Sequence, residues 1–366
     1  MTARGSTVGV PGGPLRQLVA PAMLAFSARS ERRPGEEWRE RFLALRDAYR
    51  TWYLGVGDAA RPPLEVCEAK LAQYMPELVP IHRELIGLAG GDEVDARMLS
   101  LYDPPPFITG CSQAAWVRGT PVLIRNYDYP ISRLEGVLVQ TAWSGRRVIG
   151  MSDCLWGLLD GVNDDGLAVS LTFGGRTASG EGFAIPLVVR YLLETCTSVK
   201  EACAVLARVP VHASQNLTLV DRTGDYMTAY VAPDRRLRLV KTTVTTNHQG
   251  VVEWPEYEQV VQSVNRESCL LKLIADPTMT AERLQAAFLE PPIHSSGHRS
   301  GTGTLYTASY YPGEGRVELR WPSGERWTES FDAFVALEHT EIYDPPADAA
   351  PAEYGPARGA ARVSRL

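Results

Sequence analysis

A chain of 366 residues is longer than one typical domain and short for three, with room for a full apolar core that needs no disulfide or metal staple. Its 45% hydrophobic and 22% charged residues exclude disordered, collagen-like and coiled-coil classes. A net charge of -6 leaves no global basic field, so nucleic acid is not an expected partner. No run reaches the ~18 apolar residues that a membrane span needs, so no membrane partner is expected either. The segment 18–26, LVAPAMLAF, loosely imitates a signal peptide, but Pro21 interrupts it. Six widely spaced cysteines, Cys67, Cys111, Cys154, Cys196, Cys203 and Cys269, form no C-x-x-C pair and read as reduced thiols of a cytoplasmic protein.

Residues 1–35 are Gly/Pro-rich without a sustained period and read as a flexible extension. From Glu37 the pattern is helical, with Trp38, Phe42, Leu45, Tyr49 and Trp52 on one stripe. Further helices are expected near 63–75 and through 76–91, the last ending at Gly90-Gly91. After Pro104-Pro105-Pro106 the texture changes to strands: 111–118, 122–129, 136–143, 147–153, 157–162 and 167–173. Two helices follow, near 184–195 and 198–208, then strands at 216–221, 226–232 and 237–246. Helices at 255–275 and 280–289 and a hairpin of 304–311 with 317–321 close the pattern. Strands interrupted by helix pairs disfavour singly alternating folds and fit an α+β arrangement of two stacked sheets with helices outside.

No phosphate-binding glycine loop, H-E-x-x-H or G-x-S-x-G is present. The six histidines are scattered without ligand spacing, so no metal is expected. The informative segment is TGCSQAAW followed by VLIRNYDY. Cys111 follows Gly110, and the hairpin would return Arg125 and Asp128 beside it. A nearby guanidinium lowers a thiol pKa, and a carboxylate can hold that cation and orient an amine. The plainer alternative is a buried strand thiol with Arg125 and Asp128 as a structural ion pair.

This segment resembles the start of the mature chain in N-terminal-nucleophile hydrolases. The nearest groups are the acyl-coenzyme A:6-aminopenicillanic acid acyltransferase family (peptidase family C45) and, more distantly, the bile-salt hydrolases and penicillin V acylases. ELVPIHRELIGLAGGDEVDARMLSLY, GVNDDGLAVSLTF, TTNHQG, SVNRESCLLKL and GTLYTASYYPGEGRVEL resemble further family segments in the same order, covering roughly 65–330. The resemblance implies an αββα four-layer sandwich with a helical N-terminal segment. The expected divisions are 1–35 extension, 36–110 helical pro-segment or α chain, 111–340 catalytic β chain and 341–366 disordered tail.

It also implies autocleavage between Gly110 and Cys111. Cys111 would be the nucleophile, Arg125 and Asp128 the charged pair behind it, Asn247 an oxyanion donor and Arg266 a late active-site arginine. The freed α-amine would serve as the base for its own thiol. Where the family usually has a second oxyanion asparagine this chain has Thr172, whose hydroxyl or backbone N–H would have to substitute. His248 reads as structural. The implied reaction takes an acyl group from a non-peptide amide or acyl thioester onto Cys111 and hands it to water or an amine. No cofactor is implied; acyl-coenzyme A or another acyl thioester would enter only as co-substrate. The partners are a small-molecule acyl donor and an amine or water, and the two chains stay associated. A catalytically silent binding module is the competing reading.

Overall fold

The computed structural model describes residues 22–343. The described residues open with β1 (Ala22–Glu31) and continue through the helices α1 (Glu36–Tyr53), α2 (Leu64–Tyr74), α3 (Val79–Ala89) and α4 (Glu93–Leu99). Six strands follow: β2 (Gly110–Trp116), β3 (Val122–Tyr129), β4 (Val137–Thr141), β5 (Val148–Asp153), β6 (Gly157–Asn163) and β7 (Leu167–Phe173). After α5 (Ile185–Thr195) and α6 (Val199–Leu206) come β8 (Gln215–Asp221), β9 (Tyr226–Ala232), β10 (Arg235–Val240) and β11 (Val244–Thr245). Then α7 (Pro255–Val261), α8 (Ser263–Ala275) and α9 (Ala281–Ala287) precede β12 (Gly303–Tyr311), β13 (Arg316–Arg320), β14 (Arg326–Ser330) and β15 (Glu338–Tyr343).

One sheet runs β10-β9-β8-β7-β6-β5-β4-β1-β15 and the other β11-β2-β3-β12-β13-β14. Strands β2 and β3 face β7 and β8, while α5 packs on β6 and β7, α6 on β8 and β9, and α8 on β2 and β11. The layers are therefore helix, sheet, sheet, helix, the α+β four-layer order expected. Burial follows from this: β2, β3, β6, β7 and β8 are covered on both faces and are buried along their whole length.

The helical segment is anchored by its aromatic stripe. Trp38 and Phe42 are buried and stacked, and the Trp38 indole donates to the Leu155 carbonyl at 3.0 Å. In return, the Trp156 indole donates to the Leu99 carbonyl at 2.8 Å. Gly90, at φ 54, ends α3, and Asp92 caps α4 by accepting from the Val94 N–H at 3.0 Å. Among the described residues no helix is long and apolar enough to cross a membrane.

Four expectations are corrected. Residues 22–31 are not part of a flexible arm: β1 runs parallel to β4 and antiparallel to β15 inside the large sheet. Its alternation, with Phe26 and Ala28 buried and Met23 exposed, is a period-2 strand signal. Residues 341–343 likewise belong to β15 rather than to a tail; 1–21 and 344–366 lie outside the described residues. The expected strand 237–246 is two: β10 ends at Val240, and β11 begins at Val244 in the other sheet. The expected helix 255–275 is broken at Gln262, whose φ of 49 takes the chain through the left-handed region.

Candidate active site

The site is built on the β2–β3 hairpin. Cys111 pairs with Tyr127 and Gln113 with Arg125, so these four side chains share one face. That face looks into the space between the sheets, where the Gln113 side-chain amide donates to Ser170 Oγ of β7 at 2.6 Å. Gly110 pairs with Asp128 and Ser112 with Asn126 on the opposite face, toward α8 and α9. A Cβ at Gly110 would lie 3.1 Å from Asp128 Cβ and 3.2 Å from its Oδ2, so the close strand approach favours glycine.

Arg125 and Asp128 are therefore not partners, which corrects the expected pair. Three residues apart on a strand, they project to opposite faces. Arg125 Nη2 donates to Cys111 Sγ at 3.1 Å, and Arg125 Nη1 pairs with Asp160 of β6. Asp160 is fully buried and also accepts from the Tyr306 hydroxyl at 2.7 Å and from Tyr310. Burial works against the Arg125 charge, yet Tyr306 and Asp160 hold it above the usual guanidinium range. Asp128 pairs instead with Arg266 of α8 at 2.8 Å and accepts from Thr304 Oγ1 at 2.7 Å.

Arg266 is 3% exposed, so it is not a solvated surface charge. Beyond Asp128 it donates to Ser112 Oγ at 3.0 Å and to Asn247 Oδ1 at 2.9 Å. Asn247 Oδ1 also accepts from the Cys111 backbone N–H at 2.8 Å. With its oxygen occupied by these two donors, the Asn247 amide nitrogen points the other way, to the Thr109 carbonyl at 3.3 Å and the Phe173 carbonyl at 3.1 Å. Thus Cys111, Arg125, Asn247, Arg266 and Asp128 meet through one connected network around the Gly110–Cys111 peptide.

Thr172 stands apart. Its hydroxyl donates to the Thr246 carbonyl at 3.1 Å, which engages the one side-chain N–H or O–H it could have offered to an oxyanion. His248 places Nδ1 2.8 Å from Ser263 Oγ and Nε2 3.2 Å from Glu267, linking its loop to the start of α8.

The Cys111 thiol is 0% exposed. Burial pushes it up, and Arg125 beside it pulls it partly back. All six cysteines are free; Cys203 and Cys269 are partly exposed and the other four buried. Among the described residues no group of His, Cys, Asp or Glu side chains could hold a metal ion.

Three participants escaped the sequence reading: Asp160, Tyr306 and Tyr257. Asp160 left a signal, a lone acid inside the apolar strand GLLDGV. Tyr257, on α7, left none in sequence, yet its hydroxyl donates to the Thr109 carbonyl at 2.5 Å.

No curated protein matches the chain. Among solved structures it is similar to a variant of conjugated bile acid hydrolase from Clostridium perfringens, at 13% identity and a TM-score of 0.47, covering 64% of this chain and 97% of that one. It is also similar to an N-acylethanolamine-hydrolyzing acid amidase ortholog from Caenorhabditis elegans, at 15% identity and a TM-score of 0.42, covering 64% and 99%. A third, penicillin V acylase from Agrobacterium tumefaciens, is 12% identical with a TM-score of 0.42, covering 61% and 86%. The family model described as acyl-coenzyme A:6-aminopenicillanic acid acyl-transferase matches residues 116–326, beginning just past Cys111. With more than half of its length matched, the chain belongs to the acyl-coenzyme A:6-aminopenicillanic acid acyl-transferase family.

Proposed function

We propose that this protein cleaves its own Gly110–Cys111 bond and then works as a cysteine amidohydrolase or N-acyltransferase through an acyl-Cys111 thioester. The observation that carries the reading is Cys111 Sγ held 3.1 Å from Arg125, with the Cys111 N–H donating to an Asn247 oxygen that Arg266 also holds.

In maturation, the thiol adds to the Gly110 carbonyl carbon and the Gly110–Cys111 C–N bond breaks, its nitrogen taking a proton as the new α-amine. Water then hydrolyses the thioester, leaving a Gly110 carboxylate and the free thiol. The α-amine has an intrinsic pKa of about 7.7–8.0 and can take the proton of its own thiol. In turnover, the thiolate adds to the acyl carbonyl, and the ammonium returns its proton to the departing amine. Water or an acceptor amine then attacks the thioester and regenerates the thiol. An acyl thioester donor such as acyl-coenzyme A would enter as substrate, not as cofactor.

Two features support the maturation step. A thiol with no exposed surface cannot meet an external acyl group until the covering segment moves. The two fragments would also stay interlocked, because β1 of the first lies between β4 and β15 of the second. The retained Cys111–Arg125 contact favours an enzyme over a silent binding module.

Purified protein incubated without protease should yield residues 1–110 and 111–366 still associated, with the larger fragment beginning Cys-Ser-Gln. Intact mass after mixing with N-acyl amines and acyl thioesters should show an acyl adduct on that fragment. A fully active chain that stays intact would remove the α-amine from the mechanism.

Thiol labelling gives a second check. In the intact chain, iodoacetamide should modify the partly exposed Cys203 and Cys269 before Cys111. In the cleaved protein the order should reverse, as peptide mapping of the two species would reveal. Equal slow labelling of Cys111 in both would mean that cleavage does not open the site.

A further inference from the structure

The carbonyl oxygen of Thr109 is gripped from two sides. Tyr257 Oη donates to it at 2.5 Å and the Asn247 amide nitrogen at 3.3 Å. Thr109 also reaches the nucleophile, its Oγ1 lying 3.6 Å from Cys111 Sγ. The arrangement is a carbonyl group two residues before the nucleophile, in a residue whose own hydroxyl approaches the sulfur, held by two converging side-chain donors in a buried setting. Two preorganised donors on a carbonyl oxygen in a water-excluded site are what a tetrahedral intermediate needs.

The donors are fixed before any substrate arrives. Asn247 is oriented by Arg266 and the Cys111 N–H, which occupy its oxygen. The Tyr257 ring is 4% exposed, packed edge-on against Phe173 at 5.3 Å and stacked on Trp254 at 5.3 Å. Thr172, meanwhile, has its hydroxyl engaged by the Thr246 carbonyl, so no second side-chain donor comes from β7 at that position. Tyr257 of α7, by contrast, already shares an acceptor with Asn247.

We propose that Tyr257 is a catalytic residue that, with Asn247, binds the carbonyl oxygen of the acyl substrate, the Thr109 carbonyl holding its place until the chain is cut. This rests on the acyl-Cys111 reading above. When the 103–110 segment withdraws after cleavage, the substrate carbonyl takes the vacated position. As the thiolate adds to the carbonyl carbon, the π pair moves onto the oxygen, and the Tyr257 and Asn247 hydrogen bonds strengthen against the new charge. Collapse of the intermediate returns that pair and expels the leaving group.

The test is Tyr257→Phe in the cleaved enzyme, read with two probes. p-Nitrophenyl butyrate reports acylation through its burst of nitrophenolate and an adduct mass on the fragment that begins with Cys111. Iodoacetamide reports the thiol alone, since alkylation at an sp3 carbon develops no oxyanion. The expected result is acylation slowed by about 10²-fold with KM and iodoacetamide rate unchanged. Acylation at the wild-type rate would overturn the proposal, even if self-cleavage slowed, because Tyr257 would then only hold the leader segment. Equal slowing of acylation and alkylation would also overturn it, by showing a disturbed thiol. Absence of any adduct in the wild-type protein would bring down the acyl-Cys111 reading and this proposal with it.

Discussion

Cys111→Ala should leave the chain as one polypeptide of 366 residues and abolish turnover together, because one sulfur performs both steps. Loss of a covalent nucleophile costs on the order of 10⁶-fold in kcat. The fold should survive, since the substitution removes a single atom from a residue whose backbone hydrogen bond to Asn247 is untouched. Cys111→Ser separates shape from chemistry further. It keeps a donor and acceptor of similar size beside Arg125 but not a group that ionises near neutral pH. It should therefore melt close to wild type and still fail to turn over. Gel electrophoresis, a melting curve and the p-nitrophenyl butyrate assay read all three properties. Turnover by the alanine variant would end the mechanism; turnover by the serine variant would mean that thiolate character is not what the site supplies.

Cys111, Arg125 and Asp128 were legible because they fall in two strands joined by a readable turn, whereas Asn247, past β11, and Arg266, on α8, were reached through the resemblance of their segments to a family. Cys111, Arg125 and Asp128 lie within one hairpin and Asn247 and Arg266 more than a hundred residues further on, yet the structure links all five. What failed was the assignment of partners. Arg125 and Asp128 looked like a pair because they are close in sequence, but a strand alternates faces, and the spacing of three already argued against it. The true partners, Asp160 for Arg125 and Arg266 for Asp128, come from other elements and depend on how layers stack, which no local pattern encodes. β1 and β15 were hidden for a related reason. Each is paired with segments distant in sequence, and each borders a Gly/Pro- or Ala/Pro-rich stretch whose composition masks its alternation. The sheet change between β10 and β11 happens inside a stretch of continuous β propensity, so nothing local marks it.

The second large effect should come from Asp160, which does not touch the sulfur. Arg125 and Asp160 are both completely buried, and among the described residues Asp160 is the carboxylate paired with that guanidinium. Removing it in Asp160→Ala leaves a buried cation that cannot neutralise itself, since a guanidinium does not deprotonate in a protein. Breaking one side of a buried pair costs about 3–5 kcal/mol, and the Tyr306 and Tyr310 hydroxyls lose their acceptor as well. A large fall in Tm and little soluble protein are expected. Asp160→Asn is the informative variant, because its amide oxygen can still accept from one tyrosine and its size fills the space. It should be destabilised less than the alanine variant. Its thiol should also move in a definite direction. In the native protein burial raises the Cys111 thiol while Arg125 lowers it. Neutralising Asp160 removes the anion that offsets Arg125, so the arginine acts on the sulfur more strongly and the thiolate is favoured. The pH midpoint of iodoacetamide alkylation in the cleaved enzyme should therefore shift downward in Asp160→Asn, even as the protein becomes less stable. An alkaline shift would mean that Asp160 acts chiefly by holding Arg125 in place, and that without it the guanidinium leaves the sulfur.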